Sequence, residues 1–121
     1  MKKYSFALII ISLLFLFSCS IFQKDSFEGE WTLKLDGAIK ESFDFKILPN
    51  NEFNFSKTVS YGYQDYDVTI QGKIEKDGQL KAAIIAGAEV MGEITGMMTF
   101  ERGGGKWNAS ILTGEWTAFK K

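Results

Sequence analysis

The sequence predicts an all-β fold, a single eight-stranded antiparallel up-and-down barrel behind a cleaved N-terminal segment. Three observations predict it. From Phe27 onward, apolar and polar residues alternate with period two, the pattern of a strand buried on one face. The alternating runs are separated by residues suited to tight turns. No stretch beyond Ser26 carries a convincing helical period.

The first run covers residues 27–35 and stops at Asp36-Gly37, a pair that tolerates the positive φ of a two-residue hairpin. The second, 41–48, runs into Pro49-Asn50-Asn51, where the chain's only proline sets a turn and cannot serve a ladder. The third and fourth, 52–60 and 65–75, flank the tyrosine-rich turn SYGYQDYD. Asp77-Gly78 leads into 79–87, which is followed by 90–101. Gly103-Gly104-Gly105 reads as the next hairpin turn, and 106–112 and 114–120 complete the set.

One apolar face can be followed through all eight. It holds Phe27, Trp31, Leu33 and Leu35, then Phe43, Phe45, Ile47, Phe53, Phe55, Val59 and Tyr61. It continues with Tyr66, Val68, Ile70, Ile74, Leu80, Ala82, Ile84, Val90, Ile94, Met98, Phe100, Trp107, Ala109, Ile111 and Trp116. The opposite face is mostly polar, for example Thr32, Asp44, Asn54, Ser56, Asp67, Lys73 and Glu93. Short connections imply a meander, and a meander with one apolar face closes most economically into a barrel without sheet edges. A two-sheet sandwich would use the same alternation. A membrane-spanning barrel would put its apolar face toward lipid and keep a polar lumen. Here one set of inward side chains holds nearly all the rings, so the barrel is expected to be water-exposed outside. Small residues facing these rings leave either a solid core or room for a small ligand, and the many rings favour a mostly filled interior with a shallow pocket.

The chain begins with Lys2 and Lys3, then an apolar run from Ala7 to Phe17. That run has the length of a signal h-region and falls short of the roughly 20 apolar residues of a membrane-spanning helix. Leu16-Phe17-Ser18-Cys19 follows, containing the only cysteine. Residues 1–20 resemble a bacterial lipoprotein signal, with Phe17 bulkier than the family's usual residue there. The resemblance implies a signal peptide over 1–18. It also implies acyl chains such as palmitate on Cys19, and a cell-envelope address held by membrane lipid. Ser20 after the cysteine implies the outer membrane if the source is Gram-negative. Residues 19–26 then form the lipidated cysteine and tether, and 27–121 the barrel domain.

Charge and chemistry narrow the function. Without Lys2 and Lys3, 12 of the 14 basic side chains remain against 15 acidic ones, a formal −3 that offers no basic patch for nucleic acid. There is no histidine, the usual base and metal ligand near neutral pH, and the one thiol is spoken for by lipid. No phosphate-loop, nucleophile-elbow or calcium-loop spacing occurs. Asp65 and Asp67 read as a solvated pair before a strand rather than an acid–base or calcium site. The expectation is therefore no enzyme, no cofactor and no metal.

Gly29-Glu30-Trp31-Thr32 recurs as Gly114-Glu115-Trp116-Thr117, in the first and last strands. In a closed meander these strands are antiparallel neighbours, so Trp31 and Trp116 are expected close together at one end, each beside a glycine. Gly29-Glu30-Trp31 also resembles the Gly-x-Trp of the lipocalin and calycin group. That group lays a basic residue of the last strand over the first-strand indole, a place open to Lys120 or Lys121. The resemblance implies a lipocalin-like barrel and, by analogy, a small apolar or amphipathic ligand.

The candidate ligand contacts are Lys57, Tyr61, Tyr66, Trp31, Trp107 and Trp116. Lys57 falls between Phe55 and Val59 on the inward face, unless a bulge after Ser56 turns it out. Amphipathic rings such as Tyr61 and Tyr66 suit a barrel mouth, or the cap of a core. Ile85, Met91 and Met97, on outward positions, offer a second use: a protein-interaction or inhibitor surface.

Overall fold

In the computed structural model, which describes residues 26–121, the chain forms one eight-stranded sheet. The strands are β1 (Gly29–Gly37), β2 (Glu41–Ile47), β3 (Glu52–Tyr61), β4 (Gln64–Ile74), β5 (Gln79–Ala86), β6 (Glu89–Met98), β7 (Arg102–Ala109) and β8 (Leu112–Lys120). All pairings are antiparallel, in the order β2-β1-β8-β7-β6-β5-β4-β3. A single sheet that pairs its first and last strands curls into a nearly closed barrel, not a two-layer sandwich. Among the described residues there is no helix. Cys19 and residues 1–25 lie outside the described residues.

Several expected boundaries move: β1 runs on through Asp36-Gly37, and the turns before and after β7 both fall earlier in the chain. Gly103, Gly104 and Gly105 lie inside β7, and the preceding turn is Thr99 to Glu101, closed by the Thr99 amide donating to Arg102 O at 2.7 Å. The reason is the indole of Trp116. A Cβ at Gly96 would stand 2.7 Å from Trp116 Cζ2, and one at Gly105 2.9 Å from Trp116 Nε1. The absent side chains are the seat of the ring, not a turn signal. Trp107 sits likewise on Gly114 of β8. The β1–β8 register places Trp31 opposite Lys120 and Trp116 opposite Leu35. The two tryptophans of the repeat are thus four residues apart along β1, roughly 13 Å at strand rise, and do not close one end together.

The core holds Trp31, Phe43, Ile47, Ile74, Ile94 and Trp116 almost without exposure, and no polar side chain is buried among the described residues. Each indole N–H is satisfied by a carbonyl: Trp31 by Phe27 O at 2.8 Å, Trp107 by Asp36 O at 2.9 Å, and Trp116 by Thr95 O at 2.9 Å. Five residues expected inside are exposed: Tyr61 and Tyr66 at the open end, and Val90, Phe100 and Ile111. A register shift at Ile84/Ile85 turns Val90 outward, while Phe100 and Ile111 occupy turns.

The barrel is not sealed all round. The hairpin from β2 to β3 begins normally, with the Leu48 amide donating to Glu52 O at 3.0 Å. Beyond it no ladder joins the two strands among the described residues. Four phenylalanines fill the gap instead: Phe45–Phe55 at 4.9 Å, Phe45–Phe53 at 5.3 Å and Phe43–Phe55 at 5.7 Å between centroids. Such ring pairs contribute about 0.5–1.5 kcal/mol each beyond their burial. In an antiparallel strand alternate residues direct both backbone groups to the same side. Ser42, Asp44 and Lys46 of β2 therefore face Asn54, Ser56 and Thr58 of β3 across the seam.

The two ends differ. At the N-terminal end of β1, Phe27 packs on Phe100 at 4.8 Å, and Lys120 Nζ donates to Ser26 O at 2.8 Å while lying 5.9 Å over the Trp31 ring. Lys120, rather than Lys121, thus covers the indole. Lys121 pairs with Asp44 at 3.0 Å, and with Thr32 it holds the Asp44 carboxyl below its ordinary value. A lowered folded-state value means this stabilisation is complete above the ordinary aspartate value and is lost as pH falls through the lowered one. This end is filled. The other, formed by the β1–β2, β3–β4, β5–β6 and β7–β8 turns, is open.

Candidate functional site

The open end leads into a cavity of about 270 Å³. Its interior surface comes from the alternation itself: Leu35, Phe43, Val59, Val68, Ile70 and Ile84 are inward residues of β1 to β5. Trp107 closes one side, and because its N–H is satisfied by Asp36 O it presents only ring carbon. Small Ala109 leaves the room that a larger side chain would fill.

Tyr61, Tyr66, Met91, Ile39 and Ile111 form the rim. The Tyr66 hydroxyl donates to Gln64 Oε1 at 2.7 Å, so its ring edges the cavity while its polar tip stays outside. Apart from the tyrosine hydroxyls and Ser110, every lining side chain is apolar. No carboxylate, amine or thiol lines the space. It can take up an apolar group by exclusion of water, and it holds nothing that would deliver or remove a proton near neutral pH.

Of the six residues singled out from the sequence, Tyr61, Tyr66 and Trp107 line this cavity. Trp116 is buried deeper on its glycine seat, and Trp31 lies at the filled end under Lys120. Lys57 stands beside the cavity without lining it. Its strand pairs with β4 in unbroken register from Glu52 to Tyr61, so no bulge turns it outward. It keeps its inward parity yet is exposed, because the β2–β3 seam opens where it stands. Its ammonium donates to Ser42 O across the seam and sits 5.0 Å over the Phe43 ring. Asp65 and Asp67 accept from Ser60 at 2.6 Å and Thr58 at 2.7 Å on the outer face. Among the described residues no cluster of three acidic, cysteine or histidine side chains could hold a metal.

The outward patch is reduced. Ile85 is half-buried, Met91 borders the mouth, and Met97 remains exposed. Sequence reasoning missed Phe43, Ile39 and Met91 as cavity residues. Phe43 reads as plain core, Ile39 as turn, and Met91 as outward until the shift at Ile84/Ile85 brings it to the rim. The comparisons add nothing to this geometry: no protein-family model, no curated protein and no solved structure matches the chain.

Proposed function

We propose that this chain is a lipid-anchored envelope protein whose barrel holds a small apolar or amphipathic ligand in its open end and performs no chemistry on it. The observation that carries the reading is the apolar cavity, about 270 Å³ in size, with Tyr61, Tyr66 and Ile111 at its mouth. Its size is close to the lower bound of roughly 300 Å³ for small-molecule pockets, which points to a compact ligand or one slender chain. The anchor rests on Leu16-Phe17-Ser18-Cys19. Lys120 over Trp31, with Gly29 two residues before, supports the likeness to the lipocalin and calycin group. The interaction-surface reading has less support, since Met97 alone of its three residues is well exposed and away from the mouth.

The test is an intact-mass and native-mass measurement on the chain recovered from its own membranes. Acylation is expected as a mass excess that Cys19→Ser removes. A soluble form beginning at Ser20 is expected to bind the apolar fluorophore N-phenyl-1-naphthylamine with a blue-shifted, enhanced emission. No mass excess would refute the anchor. No fluorophore binding, together with no retained molecule, would refute the ligand.

A further inference from the structure

Lys57 has an arrangement that neither the barrel nor the apolar cavity explains. Among the described residues the ion pairs are Lys40–Asp36, Lys73–Glu75 and Lys121–Asp44, so Lys57 has no carboxylate partner. The carboxylates nearest along the neighbouring strands are held first by other groups, and the Lys57 charge acts on Asp44 only as the least of the influences that lower its value. Asp44 holds Lys121 and Thr32, and Asp67 holds Thr58. Lys57 spends one donor on Ser42 O and keeps two free.

Its place relative to the cavity is specific. Val59, two residues on and facing the same way, lines the cavity. Phe43 lines it too, and the Lys57 ammonium lies 5.0 Å over that ring. The ammonium and the apolar space therefore share one phenyl ring as a neighbour. The seam beside it is the single stretch of the described wall with no interstrand ladder. There the backbone N–H groups of Ser42 and Thr58 point across the gap, adding donors near the cation.

We propose that Lys57 is a head-group site, and that the ligand is a single-chain amphiphile with an anionic head. Its tail fills the apolar cavity, and its head emerges past Phe43 into the β2–β3 seam to meet the ammonium. This assignment rests on the ligand reading above and adds the charge of the head and the side of the barrel from which it protrudes. A cation in the seam selects for an anion there, whereas the cavity alone would not distinguish heads.

Three ligands with the same twelve-carbon tail test it: dodecanoate, dodecanol and dodecylammonium. Each displaces N-phenyl-1-naphthylamine from the chain carrying Cys19→Ser, which removes competing acyl groups. Dodecanoate is expected to bind about tenfold tighter than dodecanol, the low end for a charge-assisted contact because Lys57 is exposed. Dodecylammonium is expected to be weakest. Lys57→Met should bring dodecanoate to the level of dodecanol and leave dodecanol within about twofold, which also reports an intact cavity. Lys57→Arg should keep the preference. Equal affinities for the three heads, or a preference that survives Lys57→Met, would overturn the head-group site and leave the ligand reading standing. Failure of all three to displace a bound fluorophore would overturn the head-group site too. Failure of the fluorophore itself to bind would remove the ligand reading beneath it.

Discussion

Replacing Trp116 with alanine is expected to destabilise the barrel by about 3–5 kcal/mol, the range for removing a large ring from a packed core. The indole is 1 % exposed and lies on the backbones of two strands, β6 and β7, through Gly96 and Gly105. Alanine would leave a void that neither strand can fill, since both present glycine there. It would also strip Thr95 O of its 2.9 Å hydrogen bond in a place water reaches poorly. For a domain of this size each kcal/mol lowers Tm by roughly 4–8 °C. Calorimetry should therefore show a fall of about 15 °C or more, or no cooperative transition at all. A fall of only a few degrees would mean that the ring is not the keystone its glycine seat indicates. Phenylalanine at the same position should recover part of the loss, because it refills the seat but cannot donate to Thr95.

The second large effect is on binding. Ala109→Phe places a ring from β7 in the cavity that Ala109 lines together with Trp107, Leu112, Val68 and Val59. The side chain enters open space, so its cost in strain should be small and Tm should hold or rise. Ligand affinity is expected to fall by about 100-fold or more, since the tail and the phenyl would need the same volume. Titration with N-phenyl-1-naphthylamine reads this directly. Binding that persists unchanged with a stable protein would place the ligand outside the cavity. The pair of substitutions separates two roles of the same interior: Trp116 holds the filled half, and Ala109 keeps the other half empty.

Much of the barrel was legible in the sequence because a strand announces its buried face by period two, and Asn50-Asn51 and Asp77-Gly78 mark turns by their own backbone needs, whereas Asp36-Gly37, read as a turn, is the end of β1 paired with β8. What was hidden depends on residues distant in sequence. Gly103 to Gly105 read as a turn because nothing nearby explains their missing side chains; Trp116 and Met98 do, and only the fold brings them there. Alternation fixes which face a residue takes but not how far one strand slides along another. The repeat Gly-Glu-Trp-Thr therefore suggested a symmetric meeting of Trp31 and Trp116, whereas the register puts Lys120 and Leu35 opposite them.

The candidate site was legible in part for the same reason. Tyr61, Tyr66 and Trp107 followed from parity and from their position near turns. Parity left Lys57 either inward or turned out by a bulge after Ser56, and it could not say that the ladder is missing beside it. Where the ladder is missing, four phenylalanines pack between β2 and β3, each unremarkable in its own strand. Val90 turned outward and Met91 reached the rim because Met91 is the extra residue of a bulge opposite Ile84 and Ile85, which shifts the parity of the strand before it.

The seam has one more consequence, concerning where the chain is continuous and where the sheet is. β2 and β3 follow one another in sequence but share only the first bond of their hairpin, whereas β1 and β8, from the two ends of the chain, share a full ladder. The Lys121 amide even donates to Glu30 O at 2.9 Å, past the end of that ladder. The covalent break, between β8 and β1, and the hydrogen-bonded break, between β2 and β3, are thus two strands apart around the barrel. A circular permutant that joins Lys121 to Ser26 through a short linker and opens at Pro49-Asn50 would put both breaks in one place. Its strands would then run β3, β4, β5, β6, β7, β8, β1, β2, and every ladder would join neighbours in sequence.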